Sequence, residues 1–142
     1  MNTVFPRLAG IIEIALAAFC LGLSIIFLMI VITYPQSVSI SQLGLIAFGF
    51  VASLLGLIGG VFALKLERFN FVLIGVISLL CWSILFGWNT VSIFISYDFS
   101  FSASWSQDFI ITSISIVVSI IALIFLLVSK RQFYVMQGVK KL

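Results

Sequence analysis

Residues 56–80 read GLIGGVFALKLERFNFVLIGVISLL, two apolar runs joined by the turn Lys65-Leu66-Glu67-Arg68. The turn carries three charged side chains, and neither flanking run carries any. A connection this short leaves its two flanking segments side by side and antiparallel. The stretch therefore predicts a helical hairpin whose two arms lie in an apolar environment.

Composition extends this prediction to the whole chain. Its 142 residues are 63% hydrophobic and 8% charged, with a mean hydropathy of +1.39. An ordinary soluble domain is about 45 to 50% apolar and about 25% charged. Because seven basic and four acidic residues cannot cover a surface that faces water, we predict an integral membrane protein.

Four apolar segments account for most of the chain. They are residues 8–34, 43–64, 69–90 and 109–129. Each is close to the roughly 20 residues that a ~30 Å hydrocarbon core requires. We predict a single domain over residues 1–142, an all-α membrane protein built as an antiparallel bundle of four transmembrane helices.

The basic residues predict the orientation of this bundle. All seven fall at the same end of the segments: Arg7, Lys65, Arg68, Lys130, Arg131, Lys140 and Lys141. The two loops at the other end contain no Lys or Arg and include Asp98 and Asp108. Since cytoplasmic loops are enriched in Lys and Arg, we expect a multi-pass protein of the cell membrane with both termini in the cytoplasm.

The loop after the third segment alternates between apolar and polar residues from Ile95 to Ser106. A period of two is typical of an extended strand. The aromatic face of such a strand would consist of Tyr97, Phe99, Phe101 and Trp105. Residues 37–41 alternate as well, so the two outer loops predict a short extended ribbon on the membrane surface. An irregular amphipathic loop and a strand donated to a partner protein are the alternatives.

Small residues recur at helical spacing on two segments. On the second segment they are Gly49, Ser53, Gly56, Gly60 and Ala63. On the fourth they are Ser115, Ser119 and Ala122. In lipid, small side chains let helix backbones approach closely, and hydroxyls bond across the interface. These stripes predict helix-packing faces, either inside the bundle or against a second copy or a partner subunit.

Residues suited to catalysis are scarce. The chain has no His, the commonest general base and metal ligand, and Cys20 and Cys81 lie inside apolar segments. The sequence contains no phosphate-binding Gly-rich loop, nucleophile elbow or nucleic-acid-binding module. We therefore expect no enzyme activity, no cofactor, no metal site and no nucleic-acid partner.

Glu13 is the only acidic or basic residue inside an apolar segment. It shares a helical stripe with Ala9, Ala17, Cys20 and Ser24. We expect it to face the bundle rather than lipid, because a carboxylate in the hydrocarbon core is costly.

Two interpretations of Glu13 are open. It is either a structural group, ion-paired or protonated and bonded to a neighbouring helix, or a proton-coupled or cation-binding carboxylate. The candidate ion-pair partners are Arg7, Lys65, Arg68 and Lys130.

Two resemblances bear on this choice. Residues 8–13, LAGIIE, together with four short helices and few other charges, are similar to the small multidrug resistance transporters. This resemblance implies that Glu13 is a shared proton and cation site, although residues 82–88 do not reproduce the Trp and Gly pattern of that family's third helix. Residues 56–80 resemble small four-helix prokaryotic membrane proteins of unknown function, which implies the fold and no activity.

We interpret the chain as a non-catalytic small membrane protein, an accessory or assembly subunit of a larger membrane complex. Its expected partners are the lipid bilayer and either other membrane protein subunits or a second copy. The alternative is a small proton-coupled transporter that works as a homodimer through Glu13.

Overall fold

The computed structural model describes residues 4–35, 39–96 and 103–140. These residues form four α-helices: α1 (Val4–Thr33), α2 (Ile40–Leu64), α3 (Phe69–Ser96) and α4 (Ala103–Lys140). Each helix packs on the next, α4 also packs on α1, and α1 touches α3 only slightly across the diagonal. The predicted all-α, four-helix bundle is confirmed, and each helix is long and apolar enough to cross a membrane.

Buried positions recur at alternating spacings of three and four along α3 and α4. On α3 they include Phe69, Val72, Val76, Leu79, Ser83, Phe86 and Thr90. On α4 they are Thr112, Ser115, Ser119, Ala122, Leu126, Ser129 and Phe133. A mean spacing of about 3.5 residues keeps one face of a helix turned toward its neighbours, as in other four-helix bundles.

The helices extend beyond the apolar segments seen in the sequence. α2 begins where Ser39 caps it, because the Ser39 hydroxyl accepts from the Gln42 amide at 3.3 Å and the Gln42 side chain accepts from the Ser39 amide at 2.9 Å. This reciprocal capping box pairs backbone amides at the start of the helix. Because its residues are polar, a hydropathy pattern places the start of α2 too late.

α4 is the longest of the four helices and is longer than the hydrocarbon core of a membrane is thick. Its 38 residues rise about 57 Å, against a hydrocarbon core of about 30 Å. The helix continues past Lys130 because Phe133 on its inner face is fully buried, with its ring 5.4 Å from that of Phe69.

The predicted extended ribbon is wrong where the structure describes its ends. Residues 95–96 complete α3 and residues 103–106 begin α4, while Ile40 and Ser41 belong to α2. A lone extended segment leaves its backbone groups unpaired, whereas a helix pairs them within the segment, so helix extension prevails. Trp105 therefore lies on α4. Tyr97, Phe99 and Phe101 lie outside the described residues, as do residues 36–38.

The turn between α2 and α3 is built on an unusual backbone. Leu66 has a φ of 55°. Its amide donates to the Ala63 carbonyl at 3.1 Å, and the Glu67 amide donates to the Phe62 carbonyl at 2.9 Å. This Schellman arrangement usually has glycine at the left-handed position. Burial of the Leu66 side chain offsets the backbone cost of about 1 to 2 kcal/mol.

Candidate functional site

Glu13 lies at the centre of the bundle. α1 carries it on the inward face formed with Ala9 and Ala17, and its side chain is 0% exposed. It lies six residues beyond Arg7, which is about 9 Å of helix rise. Glu13 therefore lies inside the apolar layer, nearer to the end of the bundle that carries the basic turn.

Two glycines make room for the carboxyl group. A Cβ atom built on Gly59 of α2 or on Gly75 of α3 would collide with Glu13 Oε1. The Gly75 Cβ would also lie 2.8 Å from the Leu55 carbonyl oxygen, so α2 and α3 approach closely beside the site. A side chain at either glycine position would occupy the space that Glu13 fills.

The carboxyl group has no hydrogen-bond partner among the residues that the structure describes. Both oxygens are buried and unpartnered. The four basic residues considered as ion-pair partners are all exposed. Arg68 lies over the rings of Phe62 and Phe71, at 5.4 and 5.7 Å from their centroids, and Lys130 lies 5.9 Å from that of Phe69. Neither form of structural compensation expected for Glu13 is found within the described ranges.

A narrow space adjoins Glu13. It is too narrow to admit a water molecule. It is lined by Glu13, Leu16, Val76, Leu79, Ser119 and Ala122. Of this lining, Val76, Leu79, Ser119 and Ala122 belong to α3 and α4. With Gly59 and Gly75 they lie beside the carboxyl, and none of these six residues carries charge.

This arrangement favours proton chemistry over metal binding. Within residues 4–35, 39–96 and 103–140, no group of three or more His, Cys, Asp or Glu could hold a metal ion. A single carboxyl in an apolar site can hold a proton without any other ligand. The site therefore offers one proton-binding group.

The small-residue stripe of α2 lies inside this chain's own bundle. Gly49, Ser53, Gly56, Gly60 and Ala63 are all buried. A Cβ on Gly60 would lie 2.9 Å from the Gly10 carbonyl oxygen, and one on Gly56 would lie 3.0 Å from the Ala17 Cβ. On α4, Ser115, Ser119 and Ala122 are buried as well.

Sequence reasoning singled out Glu13 but not the glycine pair around it. The sequence does contain a pattern that places these glycines near Glu13: Gly59 precedes Lys65 by six residues, and Gly75 follows Arg68 by seven. Glu13 follows Arg7 by six, so all three residues lie at a similar depth from the basic end.

The fold and this site define a small multi-pass integral membrane protein with a buried carboxyl group that has no partner within residues 4–35, 39–96 and 103–140. Comparison of the chain with known protein families, with curated proteins and with solved structures found no match.

Proposed function

We propose that the chain is a small proton-coupled transporter in which Glu13 binds and releases the proton. The observation that carries this proposal is the fully buried Glu13 carboxyl, unpartnered among the described residues. An isolated carboxylate in an apolar interior is costly, so this group needs either a proton or a nearby cation. Exchange of one for the other is the elementary step of proton-coupled transport.

In the closed bundle a proton is the occupant that fits. The space beside Glu13 excludes water, so a larger cation needs an opening between helices. α4 supplies one wall of that space through Ser119 and Ala122. It packs on α1 and α3 less extensively than α2 packs on the same two helices. In this proposal α4 moves aside to admit a cation with an apolar body, which suits the aliphatic lining.

Orientation is part of the proposal. The basic residues at one end support a cell-membrane protein with both termini in the cytoplasm. The resemblance of residues 8–13 to the small multidrug resistance transporters supports the same role for Glu13, and a homodimer as the working form.

The second candidate is an accessory or assembly subunit of a larger membrane complex. It is favoured by the closed packing around Glu13, which leaves no chamber for a substrate beside that residue. Large apolar side chains are exposed on every helix, among them Ile11, Ile58, Ile74 and Ile114. This surface suits lipid, a partner subunit or a second copy equally.

Proton release on cation binding tests the two candidates against each other. Tetraphenylphosphonium is added to weakly buffered, detergent-purified wild type, Glu13→Gln and Glu67→Gln, the last being the same substitution in the turn. We expect proton release from the wild type and from Glu67→Gln, and none from Glu13→Gln, because an amide cannot titrate. No release from any of the three, with a stoichiometric larger protein co-purifying, would favour the accessory subunit.

A further inference from the structure

We propose that Glu13 exchanges its proton along the seam between α3 and α4, toward the end of the bundle opposite the Lys65–Arg68 turn. The shorter path, toward that turn, is closed. The inference rests on the proposed function, because it assigns a route to the proton that Glu13 binds.

The path toward the turn is blocked by an apolar cluster. The cluster consists of Ala63, Leu66, Phe69, Val72, Val76, Ala122, Leu126 and Phe133, all of them buried. It fills the core between Glu13 and the basic end, which are only about 9 Å apart along α1. On α4 the first polar side chain beyond Ala122 in this direction is Ser129, ten residues or about 15 Å from Ser119.

Buried hydroxyls line the other direction. Ser119 borders the same space as Glu13, and its hydroxyl donates to the Ser115 carbonyl at 2.7 Å. The Ser115 hydroxyl is 2.8 Å from that of Ser83 across the seam. Thr112 follows one turn further on, where a Cβ on Gly87 would lie 2.7 Å from its methyl group. Thr90 is buried near the same level of α3.

The neighbouring seam at this end also holds two buried hydroxyls, those of Ser24 and Ser53, but neither lines the space beside Glu13. Ala17, Cys20, Ala52, Leu79, Trp82 and Phe86 form an apolar cluster where α1, α2 and α3 meet. Among the described residues only Ser119 brings a hydroxyl to that space, and from there buried hydroxyls continue between α3 and α4 over about 10 Å to Thr112.

These hydroxyls lower the cost of bringing water to Glu13. A hydroxyl that donates to a carbonyl of its own helix still has lone pairs that accept. Water between helices is stable only where it finds two to four polar partners, which this seam supplies and the apolar cluster does not. With transient separation of α3 and α4, a proton passes between such waters and hydroxyls. If both termini lie in the cytoplasm, as proposed, Glu13 then loads its proton from outside when α3 and α4 separate.

Hydrogen–deuterium exchange of the Glu13 carboxyl tests the route. Purified protein is mixed with D2O, and the carbonyl-stretching band of the protonated carboxyl is followed by infrared spectroscopy, with Glu13→Gln identifying the band. We expect Ser115→Ala and Ser119→Ala to slow the exchange by about five- to tenfold, the effect of losing one hydrogen-bonding site for water. Ser83 keeps its bond to the Leu79 carbonyl at 2.9 Å, so Ser115→Ala is expected to fold.

The matched control is Ser129→Ala. The Ser129 hydroxyl is also buried and donates to the Phe125 carbonyl at 2.6 Å, but it lies on the turn side. Its exchange rate is expected to equal that of the wild type. Slowing by Ser129→Ala, or unchanged rates in both route variants, would overturn the route and leave the proposed function standing. A wild type without a Glu13-dependent band would overturn both.

A second measurement avoids removing any hydroxyl near Glu13. In a Cys20→Ser, Cys81→Ser background, Thr112→Cys lies on the route, and Val72→Cys and Leu126→Cys lie in the apolar cluster. A small charged methanethiosulfonate reagent, which needs water to reach a thiol, is expected to modify position 112 at least about tenfold faster than positions 72 and 126. The reverse order of rates would refute the inference.

Discussion

Glu13 and Gly75 lie on diagonally opposite helices and meet at the centre of the bundle, where a Cβ on Gly75 would overlap the Glu13 carboxyl. The two positions are 62 residues apart in the chain. Because Gly75 has no side chain, the Glu13 carboxyl of α1 can reach across the bundle to α3.

Adding a side chain at Gly59 or Gly75, the two glycines beside Glu13, is expected to destabilise the bundle. Gly75→Ala should lower the free energy of unfolding by about 1 to 3 kcal/mol, because the new methyl meets Glu13 and the Leu55 carbonyl, and a backbone atom cannot swing aside. Thermal unfolding in detergent measures the change.

The control and the rescue are built into the same chain. Gly44→Ala, at a position with nothing within 4 Å, is expected to be neutral or stabilising by up to about 1 kcal/mol. Glu13→Ala should recover part of the cost of Gly59→Ala in a double-mutant cycle. Strictly additive effects of these two substitutions would show that residues 13 and 59 are not in contact.

Glu13 is expected to lower the free energy of unfolding relative to an apolar side chain of similar size at the same position. Glu13→Met keeps a similar volume and removes a buried group that has no partner among the described residues, so it should stabilise the protein by about 1 to 3 kcal/mol. Glu67→Met in the turn is the matched comparison. Lower stability of Glu13→Met would mean that the carboxyl is held by a stabilising bond.

Two glycines of α2 should differ in their tolerance of a methyl group. Gly60→Ala places its Cβ 2.9 Å from the Gly10 carbonyl oxygen, whereas Gly56→Ala places it 2.6 Å from Leu79 Cδ1, the far end of a flexible side chain. We expect a loss of about 1 to 3 kcal/mol for Gly60→Ala and a smaller loss for Gly56→Ala. Phe50→Leu, which changes a half-buried residue of the same helix, serves as the control; equal losses at both glycines would contradict the role given to the Gly10 backbone.

The orientation is testable with single introduced cysteines in a Cys20→Ser, Cys81→Ser background. Ser41 at the start of α2 and Lys65 after its end are both exposed, at opposite ends of the bundle. A membrane-impermeant thiol reagent should label Ser41→Cys in intact cells and Lys65→Cys only after permeabilisation, because the basic end is expected to face the cytoplasm. The opposite pattern would place the termini outside.

Helix number, approximate spans and the inward direction of Glu13 follow from sequence alone. Hydropathy and the 3.6-residue period are local properties, and a backbone in lipid has to satisfy its hydrogen bonds within each segment. Local patterns misled in the outer loop, where the alternation from Ile95 to Ser106 predicted a strand. Helix extension at both described ends shows that continued backbone pairing prevails over side-chain periodicity.

The surroundings of Glu13 were decided by tertiary structure. Whether the carboxyl meets Gly59 and Gly75, an ion-pair partner or a hydroxyl depends on the rotation and depth of three helices relative to α1. The rotation and depth of the helices are set by close packing at positions such as Gly10, Gly60 and Ala63. The helices approach so closely there that no added methyl group would fit, and this excludes otherwise similar arrangements. The sequence could place a carboxyl in the core, but only the packed bundle could leave it there without a partner among the described residues.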